Sequence, residues 1–164
     1  MKDPFKFRLA ASKPAVDVEG GTIREAKKQD FPALDGLAIF QLKLKKGAVR
    51  IPHGHPDANE LDYILHGRAA ISIVGPDQVE QKMELEPGEI SFIPQGWFHS
   101  IKNIGDDELS LLVIFNNENP NDIGISVGLG GMTHAVLGET LGVPPDTFQN
   151  FRRDVLFIAP QKPQ

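Results

Sequence analysis

Three histidines and one glutamate, divided between two glycine-bounded blocks, constrain the folding of this 164-residue chain more than any other feature. The first block reads Gly47-x5-His53-x-His55-x4-Glu60-x6-Gly67, and the second Gly88-x5-Pro94-x-Gly96-x2-His99-x3-Asn103. His53 and His55 are two positions apart, so on a strand both side chains leave by the same face. Glu60 and His99 lie on other segments, so only the tertiary fold brings all four together. Three imidazoles and one carboxylate form a mixed nitrogen and oxygen donor set. It suits a divalent first-row metal, Mn(II) or Fe(II) before others, with about two positions left for oxygen donors of a substrate. Taken singly, Glu60 reads as a solvated acid and the four glycines as turn residues. Ten defined positions at fixed spacing outweigh that reading. His66 and His134 belong to neither block and read as surface or satisfied core residues.

The rest of the chain is strand-like. Ala38, Phe40, Leu42 and Leu44 alternate with Ile39, Gln41, Lys43 and Lys45, which predicts one buried and one wetter face. Residues 61–65 and 69–74 flank His66, Gly67 and Arg68 as a hairpin. Gly75-Pro76-Asp77 turns the chain into residues 81–85, and Pro87-Gly88 turns it into 89–93. The run from Leu109 to Phe115 is apolar apart from Ser110, as expected of a strand buried on both faces. About eight short strands with regular turn signals predict an all-β sandwich or barrel. Past residue 131 the period changes. Met132 to Leu141 predicts a helix ended by Gly142, and Pro144 and Pro145 open a second short helix with Phe148 and Phe151. The helices either pack on the sandwich or form an oligomer contact.

The two blocks resemble the two signature motifs of the cupin superfamily, and both fit without a missing residue. Further segments, Gly20 to Arg24, Phe31-Pro32, Gly47 to Arg50, His55 to Glu60, Asn103 to Asp107 and Phe115 to Asp122, resemble one half of a two-domain oxalate decarboxylase. The likeness is closer to the C-terminal cupin half and extends from about residue 17 to about residue 157. It implies a double-stranded β-helix (a jelly-roll sandwich or barrel) with short C-terminal helices. Residues 1–35 would be an N-terminal arm with one or two short strands, 36–130 the cupin barrel and 131–164 a helical segment and tail, one domain in all. It also implies a manganese ion on His53, His55, Glu60 and His99, and a homodimer or higher homo-oligomer.

In that family an arginine three positions before the first metal histidine lies beside the substrate, and Arg50 stands three before His53. Strict alternation puts Arg50 on the opposite face from His53, but Pro52 between them permits a bend. Otherwise Arg50 continues the surface run of Lys43, Lys45 and Lys46. The family's lid carries a Ser-Glu-Asn-Ser-Thr stretch whose glutamate relays a proton. Here the comparable residues are Asn121-Asp122-Ile123, so Asp122 is the candidate relay, with Glu118 nearby. Trp97 and Phe98, beside His99, either wall an apolar pocket or serve packing.

With 17 Lys and Arg against 22 Asp and Glu, the formal charge is −5, and no polybasic surface for nucleic acid stands out. The chain has no cysteine, which excludes thiolate chemistry and disulfides. No segment approaches a membrane span and the N-terminus lacks a secretion signal, so a cytoplasmic location is expected. The function expected is that of a metal-dependent cupin acting on a small carboxylic acid, oxalate decarboxylase-like. The alternatives are a metal-bearing cupin that binds a small acid or sugar without turnover, or an oxidase or dioxygenase on another substrate.

Overall fold

In the computed structural model of the chain, residues 3–162 are described. The strands are β1 (Val16–Val18), β2 (Gly21–Ala26), β3 (Ala38–Leu44), β4 (Val49–Gly54), β5 (Glu60–His66) and β6 (Ala69–Val74). They continue with β7 (Glu80–Leu85), β8 (Ile90–Ile93), β9 (Phe98–Asn103), β10 (Leu109–Phe115), β11 (Ile123–Gly124) and β12 (Ile158–Ala159). Helices α1 (Ile125–Gly130) and α2 (His134–Leu141) lie between the last two. No helix among the described residues is long and apolar enough to cross a membrane.

Two antiparallel sheets face each other. The first has the order β1-β2-β3-β10-β5-β8, and the second β11-β4-β9-β6-β7, with β12 also paired to β4. The core between them is aliphatic, with Leu42, Leu44, Ile64, Ile71, Ile101, Leu109 and Leu111 buried. Removing those side chains from water is the main favourable contribution to folding. In β10, Leu111 and Val113 face the core, while Leu112 and Ile114 are only half-buried on the outer face. Turn chemistry fixes the strand ends. At Gly67 φ is +84°, and a Cβ there would come within 2.9 Å of the Glu108 carbonyl oxygen, so the β5–β6 turn requires glycine.

The arm carries β1 and β2, the two strands expected there, and both extend the first sheet, while the two-residue β11 and β12 flank β4. Helix α2 begins at His134 rather than Met132, because the Thr133 side chain accepts a hydrogen bond from the Val136 amide and caps it. Helix α1, rich in glycine and β-branched residues, carries no helical signal in its sequence. Gly142, at φ +68°, ends α2 as expected.

Candidate metal centre

The four ligand candidates come from three strands on both sheets. His53 and His55 stand on and just after β4, His99 on β9 directly opposite His53, and Glu60 opens β5 in the other sheet. All four are buried, and their ligating atoms lie within 4.8 Å of one another. Each histidine is oriented from behind. Nδ1 lies 2.7 Å from the Ile51 carbonyl for His53, 2.7 Å from the Asn121 carbonyl for His55 and 3.2 Å from the Trp97 carbonyl for His99. A carbonyl only accepts, so Nδ1 carries the proton and Nε2 presents a lone pair inward.

Those lone pairs meet a carboxylate. Glu60 Oε2 is 2.9 Å from His55 Nε2 and 3.2 Å from His99 Nε2, yet these buried atoms make no properly angled hydrogen bond. Buried acceptors aimed at one another are costly unless a cation sits among them. The residues therefore fit a divalent metal, with carbonyl-anchored imidazoles of the kind that support metal ligands. The electrostatics agree. Burial, then the nearby Arg50 charge, pushes the His53 imidazole well below its ordinary range. Burial works against charge on Glu60 too, and its carboxyl stands well below the usual range only where positive charge sits on the His99 and His55 side of it, the place a cation would fill. Its neighbour Asp62 is driven strongly upward by burial and by the Glu60 charge. Asp62 accepts a hydrogen bond from the Ser91 hydroxyl at 2.9 Å.

Arg50 is 6% exposed and is not part of the lysine run on the surface. Its inward placement comes from the pairing of β4 with β9, where Arg50 opposes Ile101 and His53 opposes His99. Ile51 and Pro52 together therefore span a single step of β9, a β-bulge that turns residues three apart to the same face. The Arg50 guanidinium is paired with Asp122 and donates to the Phe157 carbonyl at 3.2 Å. Asp122 Oδ2 stands 4.0 Å from His53 Nε2. The segment carrying Asp122 is tied down. Asp57 accepts from the Asn121 amide at 2.9 Å and from its side chain at 2.6 Å, and the Asp57 carbonyl accepts from Asn117. Glu118 points away from the centre and pairs with Lys28 at 2.8 Å.

A cavity of about 160 Å³ between the sheets reaches the ligands. Its walls are Val16, Ile23, Phe40, Leu42, Val113 and Phe157, which carry no chemical signature in the sequence beyond strand alternation. Trp97 and Phe98 are not among them. Trp97 instead packs its ring over Gly75, where a Cβ would come within 2.5 Å. His66 is exposed on β5, and His134 pairs with Arg153 away from the centre.

The comparisons with known proteins agree with this architecture. Over 159 residues the chain is 35% identical to a probable oxalate decarboxylase of Arthroderma benhamiae, covering 94% of this chain and 39% of that protein. It is 28% identical over 137 residues to an oxalate decarboxylase of Bacillus subtilis, covering 84% and 34% respectively. Oxalate oxidase 2 of Hordeum vulgare is 26% identical over 132 residues, covering 77% of this chain and 59% of that protein. The chain thus spans well under half the length of the oxalate decarboxylases it matches. The structure of the Bacillus subtilis oxalate decarboxylase at pH 4.6 superimposes with a TM-score of 0.90 at 23% identity, covering 99% of this chain and 42% of that one. The family model described as Cupin matches residues 7–147, and the chain belongs to that family.

Proposed function

We propose that this chain is a metal-dependent cupin that acts on a small carboxylic acid in the manner of the oxalate decarboxylases. The observation that carries the reading is the convergence of His53, His55, Glu60 and His99 beside a buried Arg50, itself paired with the more exposed Asp122, at the end of a cavity. The four residues would hold Mn(II), or Fe(II) in its place, and the Bacillus subtilis relative has Mn(II) centres. When bound, such an ion supplies Lewis acidity, a template for the substrate and, with dioxygen, a one-electron oxidant.

Arg50 is the carboxylate-binding residue in this reading. Its guanidinium can hold and polarise a carboxylate through paired hydrogen bonds, a role that Asp122 fills in the resting chain. An incoming carboxylate therefore competes with Asp122 for Arg50. Asp122, once released, lies next to His53 and can deliver a proton to the reacting carbon. For oxalate, the carbon–carbon bond breaks and one half leaves as carbon dioxide. The other half takes one proton at carbon and leaves as formate, with no net oxidation. If no proton is delivered, both halves leave as carbon dioxide and dioxygen takes up two electrons and two protons as hydrogen peroxide.

The bonds from Asp57 and Lys28 that hold the Asp122 segment favour a second reading, a metal-bearing cupin that binds a small acid without turnover. Manganese-loaded protein given oxalate at mildly acidic pH in air, with formate and peroxide followed together, separates the two. Formate that disappears in His55→Ala supports the decarboxylase, peroxide alone an oxidase, and neither product the binding protein.

A homodimer or higher assembly is part of the same proposal. On the outer face of the first sheet, the cross-strand row Ile39, Ile114, Leu61, Phe92 lies beside Gln41, Leu112, Tyr63, Ile90. Phe92 and Ile90 are 56% and 58% exposed, an apolar stripe of the kind that marks interaction surfaces. Sedimentation equilibrium tests it, and a monomer at all concentrations refutes it.

A further inference from the structure

We infer that, beyond a compact acid held at the metal, this cavity takes a monocarboxylate carrying an apolar body, a 2-oxo or 2-hydroxy acid with a branched alkyl or aryl side chain. The inference rests on the reading of the metal centre as a carboxylate site and adds what lies beyond the carboxylate.

Beyond the metal ligands, the cavity offers two side-chain donors among the described residues, Arg50 and Lys27. Arg50 is already divided between Asp122 and the Phe157 carbonyl. Lys27 bonds Glu25 at 2.8 Å and rests over the Phe40 ring, with its nitrogen 5.3 Å from the ring centroid. That lysine and glutamate together carry no net charge, so nothing at their end of the cavity recruits a second anion. The remaining surface is aliphatic and aromatic, supplied by Ile23, Leu42 and Val113 of the first sheet and by Phe157. A carboxylate set against such walls loses its water and gains no hydrogen bond. An alkyl or phenyl group there loses nothing and is drawn out of water.

Size points the same way. The cavity holds about 160 Å³. A dry apolar cavity of roughly 150 Å³ in another protein accommodates benzene. A carboxylate with an oxygen on the adjacent carbon would use the two coordination positions left by four protein ligands. The chain beyond that carbon then enters the space between Val16, Ile23 and Phe40.

The test uses Mn(II)-loaded protein and follows displacement of metal-bound water by water-proton relaxation. Pyruvate, 3-methyl-2-oxobutanoate and phenylpyruvate share one chelating head and differ only in apolar body, and oxalate serves as the compact reference. Each methylene transferred out of water is worth roughly fourfold in affinity. The two added carbons of 3-methyl-2-oxobutanoate should therefore tighten binding about tenfold over pyruvate, and phenylpyruvate should bind at least as tightly. In Val16→Phe, at the partly exposed edge of the cavity, the ratio of phenylpyruvate to oxalate affinity should fall about tenfold. Ile23→Phe, which fills the same space from β2, should do the same. If oxalate and pyruvate bind but affinity stays level or drops as the apolar body grows, the inference is wrong while the carboxylate reading stands. If neither oxalate nor any oxo acid displaces water, the carboxylate reading fails and takes this inference with it.

Discussion

Replacing Phe115 by alanine should weaken the fold and the metal centre together, because one ring supports both. Phe115 is 2% exposed on β10. It meets Phe40 edge-on at 5.0 Å between ring centroids, and the His55 imidazole at 4.7 Å. Truncating a buried phenylalanine to alanine costs about 3–5 kcal/mol, since the site collapses only in part. In a domain of this size each kcal/mol moves Tm by about 2–4 °C, so metal-free Phe115→Ala should melt about 6–20 °C lower. The second effect is on the ligand. His55 keeps its bond to the Asn121 carbonyl but loses the ring that limits its tilt. Loss of an orienting partner typically weakens metal binding by about 10–100-fold. Differential scanning calorimetry of the metal-free protein and a calorimetric Mn(II) titration read the two effects separately. A drop in Tm of less than about 3 °C would refute the packing argument. A large drop in Tm with unchanged Mn(II) affinity would instead refute the claim that Phe115 positions His55.

Asp122→Asn leaves the buried Arg50 charge without its counter-ion and should cost about 3 kcal/mol in urea denaturation. Because Asp122 is the proposed proton donor, the same variant should also lose formate production while retaining bound metal. Asp57→Ala releases Asn121, whose carbonyl orients His55, and should lower Mn(II) affinity about tenfold. Faster proteolytic cleavage within residues 116–122 would accompany it, and full affinity would show that Asp57 is only a surface acid. Asn103 is buried and donates to the Leu44 and Asp107 carbonyls. Asn103→Ala should destabilise the fold by about 1–3 kcal/mol through those unmet acceptors and leave metal stoichiometry intact, as metal analysis of the purified variant would show.

The convergence of the candidate ligands was legible in the sequence because metal chemistry restricts residue types and the fold restricts their spacing. His53, His55, Glu60 and His99 could not be moved independently without losing the site. The inner faces of β3 and β10 were legible for a similar reason, since alternation is imposed residue by residue. The cavity walls were not. Val16 and Ile23 come from a segment read as a polar arm, and Phe157 from beyond the helices, and nothing local marks which apolar residue faces a ligand. Trp97 illustrates the same limit, because its place beside His99 fitted a pocket wall and packing equally, and its ring is used to cover Gly75. The two-residue β12 beside β4 escaped notice because its pairing is dictated by the partner edge, not by its own composition.

The bulge at Ile51 and Pro52 makes Arg50 separable from the metal ligands. Removing one residue there would restore regular alternation and turn position 50 outward, while His53, His55, Glu60 and His99 kept their relation to one another. Under the proposed function, a change in chain length, without exchange of any functional side chain, would then convert a carboxylate-handling centre into a plain metal holder. Within such a scaffold, the count of residues between an arginine and its first histidine carries as much information about reactivity as the identity of either.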